Sequence, residues 1–329
     1  MYENIASNRR RTAFIIAIFV IFIAAIGFAI GYYFDYRFGI SRSYSILFMI
    51  FALIFAGFAS FGSYYWSDKI VIGMTYATPL TREDDPRVYY IVEGLSIAAG
   101  IPMPKIYLIE EHGMNAFATG RNPQNGVIVL TRGLIRNLDD DELKGVIAHE
   151  LSHIKNYDIL LGTIIVILVG MVTIISNIIF RSFLFGGGRR SSSSKSSAGS
   201  LFGLIFLVVG IILIILSPLI ALIIRFAVSR QREYLADSNG ALITRYPAGL
   251  ANALRKISVY SEVRTANNAT EHMFIATPFG KNTRVALSGL FNSHPPIEER
   301  IRRLDKMSLG IGLKDDSIIK QEVEEINKK

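Results

Sequence analysis

His149 and His153 stand four residues apart, with Glu150 directly after the first of them. On a helix, at about 100° per residue, two such imidazoles project within roughly 40° of each other. Imidazoles one turn apart can hold one tetrahedral zinc, and a carboxylate between them reaches the water that the metal activates. Three fixed residues also arise by chance, as two solvated histidines on an amphipathic helix, so a third ligand decides. The chain has no cysteine and five histidines, which leaves imidazole and carboxylate to hold any transition metal. Residues 229–237 read SRQREYLAD, where Glu233 and Asp237 are four apart and share a helical face. Glu233 can complete a metal site, and Asp237 can accept a proton from the distal nitrogen of one histidine and fix its tautomer. The competing reading of Glu233 is an ion pair with Arg230 or Arg232.

Residues 137–156 read NLDDDELKGVIAHELSHIKN, and Asp139 followed by Glu142 is a capping-box signal that opens a helix. Leu143, Ile147, Leu151 and Ile154 fall on the far side, so the histidine face is expected to point away from the core. The stretch 67–158 reads as a folded soluble segment, with a helix predicted over 86–99 and strands over 105–109 and 126–130. Around it lie four apolar runs, 12–34, 45–66, 159–180 and 201–226, each long enough to cross a hydrocarbon core of roughly 30 Å. The first lacks the short apolar region and cleavage site of a signal peptide and reads as an uncleaved anchor. The third and fourth runs form a hairpin that leaves and re-enters one bilayer face, with His153 just before it and Glu233 just after. Topology thereby returns ligands 80 residues apart to one surface.

Arg9, Arg10 and Arg11 precede the first run, so the positive-inside rule places both termini and the site in the cytoplasm of a multi-pass cell-membrane protein. Arg37, Arg42, Arg189, Arg190 and Lys195 then fall in outside loops and weigh against that orientation. The expected organisation is a transmembrane hairpin over 1–66, a first catalytic part with the HExxH helix over 67–158, and a second transmembrane hairpin over 159–226 with a Gly/Ser-rich loop at 186–200. A second catalytic part carrying the third ligand follows over 227–313, then a charged tail over 314–329.

Composition agrees. Of 329 residues 51% are hydrophobic, above an ordinary soluble domain, and the net charge of +8 gathers largely beside apolar runs. No base-reading motif appears, so no nucleic-acid partner is expected. The absence of cysteine excludes disulfides, a catalytic thiol and C-terminal prenylation.

Four stretches carry a resemblance: HELSH at 149–153, SRQREYLAD at 229–237, NAFATG at 115–120 and SHPPIEER at 293–300. Over roughly 87–303 the chain is similar to the HtpX-type membrane zinc metalloproteases, gluzincins related to the CAAX prenyl endopeptidases. That resemblance implies a mainly α membrane protein with four transmembrane helices and a zincin-like α+β catalytic domain carrying a small mixed sheet. It implies one Zn2+ per chain, polypeptide substrates drawn from membrane proteins, and a role in proteolytic quality control. It also implies that Asn115 and Ala116 belong to an edge strand where a peptide pairs as an added strand. His294 would donate to the oxyanion, with Arg300 supporting it. The residues alone read 115–120 as a turn and His294-Pro295-Pro296 as a loop before a helix. His112 and His272 match no ligand position and are expected at the surface or in loops. A CAAX-type prenyl endopeptidase is disfavoured because four spans cannot enclose a large chamber. A membrane scaffold or transporter with an incidental HExxH is opposed by the scarcity of ionisable residues within the spans.

Overall fold

Helix α1 (Tyr2–Phe38) runs straight into a hairpin with α2 (Ser43–Tyr65). In this computed structural model residues 2–39, 43–167, 170, 230–267, 270–279 and 295–310 are described. Asp35 closes the hairpin, its carboxylate accepting the backbone N–H groups of Tyr44 (2.8 Å) and Ser45 (2.9 Å) at the open start of α2. Gly31 allows the close approach, since a Cβ there would lie 2.5 Å from Ser45 Cα. Within these helices Ala6–Tyr36 and Ser43–Tyr65 are long and apolar enough to cross a membrane. Their outward faces carry Ile21, Phe51 and Phe58 exposed, as lipid-facing helices do. Of the two further apolar runs expected, the described part is α7 (Asp158–Ile167), and the remainder, with loop 186–200 and tail 314–329, lies outside the described residues.

Beyond the hairpin the described chain is mostly helical around a small mixed sheet. After α3 (Ser67–Thr75) come β1 (Thr78–Pro79), α4 (Pro86–Ala99), β2 (Lys105–Ile109), β3 (Ala116–Thr119), β4 (Val127–Thr131) and α5 (Arg132–Asn137). The predicted helix over 86–99 and strand over 105–109 fall where α4 and β2 lie, and the second strand begins one residue later than expected. The sheet order is β1-β2-β4-β3, with β2 and β4 parallel and the outer pairs antiparallel. Both faces are covered, which is why β4 is buried at every position. Ile106, Leu108, Ala118, Ile128 and Leu130 face a core built with α4, α6 (Asp140–Lys155), α9 (Pro247–Ile257) and α10 (Ile297–Ser308). Ile109, Phe117, Val127 and Val129 face a second cluster shared with Ile15, Phe19 and Ile23 of α1 and with Leu161 and Ile164 of α7.

Helix α6 opens on the expected capping box, with Asp139 accepting from the Glu142 N–H (2.9 Å) and Glu142 accepting from the Asp139 N–H (3.0 Å). Its histidine face does not point away from packing. His149 is 1% and Glu150 2% exposed, because α8 (Arg230–Thr244) lies along that face while Leu143, Ile147 and Leu151 fill the other. Gly145 lets α9 reach α6: a Cβ there would lie 2.6 Å from Leu250 N.

Candidate metal and active site

Helix α6 contributes two imidazoles and α8 one carboxylate to a single point. The Nε2 atoms of His149 and His153 are 3.1 Å apart. Glu233 places Oε2 3.7 Å from Nε2 of His149 and Oε1 3.5 Å from Nε2 of His153. Donors at 2.0–2.1 Å around a tetrahedral zinc stand roughly 3.4 Å apart, so this spacing fits such an ion with little adjustment. The rings are also aimed. His149 turns Nδ1 to Asp237 Oδ1 at 2.9 Å and His153 turns Nδ1 to Asp158 Oδ2 at 3.1 Å, so each presents Nε2 to the shared point.

The electrostatics match a ligand set in need of a cation. Burial and the Arg300 guanidinium outweigh Asp237 and hold the His149 pKa below its usual value, which favours the neutral, metal-binding ring. Burial also opposes charge on His153, yet the hydrogen bond to Asp158 and the nearby Glu233 carboxylate prevail and raise it to about 9. Burial pushes Glu150 up to about 7, with His153 pulling the other way and Glu233 adding to the rise. Glu150 accepts the Ala118 N–H from β3, and both line the same cleft as the histidines.

Arg300 reaches the site from behind His149, with Nη2 3.4 Å from that ring. It is wholly buried on α10 behind His149, donating to Asp237 through Nε (2.9 Å) and Nη2 (2.7 Å), and through Nη1 to the Ile275 carbonyl (3.0 Å). With these donors committed and Glu233 Oε2 3.6 Å away, it braces the carboxylates and does not face a substrate carbonyl. His294 lies outside the described residues.

Ala116 opens the edge strand β3, as the resemblance implies, but its outward side is already occupied. Asn115 sits just before the edge strand β3, fully buried, its amide donating to the carbonyls of Ser261 (3.0 Å) and Ala276 (2.9 Å). The outward carbonyl of Ala116 accepts Ile275 N–H at 2.9 Å, so segment 270–279 already covers that end of the edge. The edge position facing the cleft is Ala118. His272, expected at the surface or in a loop, lies in the irregular segment 270–279 but is only 7% exposed, lines the cleft and places Nε2 3.2 Å from the Gly162 carbonyl oxygen. Sequence reasoning passed over Asp158 as well; its one signal was a carboxylate five residues after His153, where the next helix begins.

Comparison with known proteins agrees with this geometry. Residues 82–308 match the model of peptidase family M48. A protease HtpX homolog of Dictyoglomus turgidum is 43% identical over 308 residues, covering 93% of this chain and 94% of that protein. One from Syntrophobacter fumaroxidans is 47% identical over 262 residues, covering 79% and 89% respectively. The crystal structure of S. mikatae Ste24p is a distant likeness, 21% identical with a TM-score of 0.40 over 93% of this chain and 67% of that one. With the family match enclosing His149, His153 and Glu233 and the identity to HtpX homologs running nearly end to end, the chain belongs to peptidase family M48.

Proposed function

We propose that this membrane metalloprotease is a zinc endopeptidase that cuts membrane or misfolded proteins, with His149, His153 and Glu233 as ligands and Glu150 as general base. The observation that carries the reading is the convergence of three ligand atoms within 4.8 Å beside a buried carboxyl group. Two imidazoles and one carboxylate leave a coordination position open, which suits catalysis and not a closed structural site. Zinc, when bound there, supplies the Lewis acid that polarises the scissile carbonyl and acidifies the attacking water.

The rest of the work falls to this chain's own side chains. Glu150 takes the water's proton and returns it to the leaving amine; its burial, which raises the carboxyl of the metal-free site to about 7, favours the protonated form it passes through. Asp237 holds the His149 ring, and Arg300 keeps Asp237 ionised and in place. A peptide adding along β3 pairs through the Ala118 carbonyl, because Ile275 occupies the Ala116 carbonyl and Glu150 takes the Ala118 N–H. His294 is the candidate donor to the oxyanion, on the segment leading into α10. The Arg9 to Arg11 run supports a cytoplasmic site.

Glu150→Gln tests the assignment directly: zinc content stays at one per chain while cleavage of unfolded casein falls about 10²–10⁴-fold. Full activity in that variant removes Glu150 as the base. Running a farnesylated peptide beside casein separates the rivals, and selective cleavage of the lipidated peptide would favour a CAAX-type enzyme.

A further inference from the structure

The two imidazoles are supported from different directions. Asp237, behind His149, belongs to α8 and is held by Arg300 of the catalytic part. Asp158, behind His153, has no such neighbour from α10 among the contacts of the described residues. It opens α7, two residues beyond the end cap of α6 at Asn156. Tyr157 between them takes φ +61°, a left-handed conformation that bulky residues rarely adopt and that persists where the surroundings enforce it. The reversal brings Asp158 back onto His153, Oδ2 to Nδ1 at 3.1 Å.

The other oxygen of Asp158 is held from the N-terminal helix. Asn8 Nδ2 donates to Asp158 Oδ1 at 2.7 Å and to the Asn156 carbonyl at 3.1 Å, and Asn8 is 4% exposed. Arg232 Nη1 lies 3.7 Å from the same oxygen. One amide of α1 therefore grips both the side chain that orients His153 and the backbone turn that delivers it. We infer that Asp158 is the positioning residue for His153 and that Asn8 locks it in place, so the first membrane helix completes the metal site. The inference rests on His153 being a metal ligand. A carboxylate accepting Nδ1–H fixes the tautomer that offers Nε2, and losing such a partner weakens metal binding about 10–100-fold. Losing Asn8 leaves Asp158 held by His153 and Arg232 alone, so its effect is smaller and of the same kind.

The experiment uses the full chain in detergent, with zinc affinity read by chelator competition and the geometry by the visible spectrum of the cobalt form. Asp158→Asn is expected to weaken zinc about 10–100-fold, Asp158→Glu to recover part of that, and Asn8→Ala to weaken zinc severalfold with an altered cobalt spectrum. Arg10→Ala, an exposed neighbour on α1, changes neither. Zinc affinity and cobalt spectrum unchanged in Asn8→Ala overturn the role of the membrane helix; unchanged affinity in Asp158→Asn overturns the whole inference. If Asp158→Asn does not fold, Asn8→Ala and Asp158→Glu still decide. Wild-type protein that takes up no stoichiometric zinc or cobalt is a separate failure, that of the metal site itself, and sinks the inference with it.

Discussion

His153 carries a proton in the metal-free site up to about pH 9, because Asp158 and Glu233 outweigh the penalty of burying its charge. An incoming ion must displace that proton. Raising the pH towards 9 therefore tightens zinc binding, by roughly tenfold per unit for one proton released. Calorimetry in buffers of different ionisation heat should record proton release near pH 7, and a heat independent of the buffer would show that His153 is already neutral. His149 and His153 were legible in sequence because a helix converts spacing into direction, and Glu233 because its motif follows directly on the last apolar run. Arg300 was legible as important but not in its position: nothing in SHPPIEER says that its guanidinium is committed to Asp237 and Ile275. Asp158 and His272 were missed because their approach to the site depends on a left-handed turn at Tyr157 and on the irregular segment 270–279.

Helix α6 was misread in one respect for a simple reason. A stripe of Leu143, Ile147, Leu151 and Ile154 marks one buried face, but says nothing about a second helix laid over the polar one. That arrangement demands close contact on both flanks, which Gly145 supplies against α9. Gly145→Ala should destabilise the catalytic part by about 1–3 kcal/mol through a Cβ pressed on the Leu250 backbone, seen as a lower melting temperature with zinc saturating. A wild-type melting curve would mean that α9 shifts freely. The strand at 105–109 was legible by its alternation and the one expected over 126–130 lies at 127–131, whereas β3 is short and covered at one end by Ile275. Its edge could not be read from the chain, since the covering residue is 159 positions from Ala116.

The sheet belongs to two cores at once. One side is packed by α4, α6 and α9, the other by α7 and, through Ile15, Phe19 and Ile23, by α1. Sequence predicted a membrane anchor followed by a soluble domain; packing joins them. Deleting residues 1–66 should therefore leave a catalytic part that melts earlier or aggregates, as each fully buried apolar side chain contributes roughly 1.5–3 kcal/mol. Size-exclusion and thermal unfolding of the shortened chain read this, and a monomer as stable as the parent would show that the anchor is only a tether.

The grip of Asn8 on Asp158 also fixes a height. Four residues separate Asn8 from Thr12, where the apolar run starts, a rise of about 6 Å along the helix. On the proposed membrane placement, with the hydrocarbon beginning at Thr12, the residues proposed as zinc ligands sit about one helical turn from that boundary, near the lipid head groups. A scissile bond has to descend to that depth: a loose loop emerging from the bilayer can do so, while a tightly folded domain held far above it cannot until it unravels.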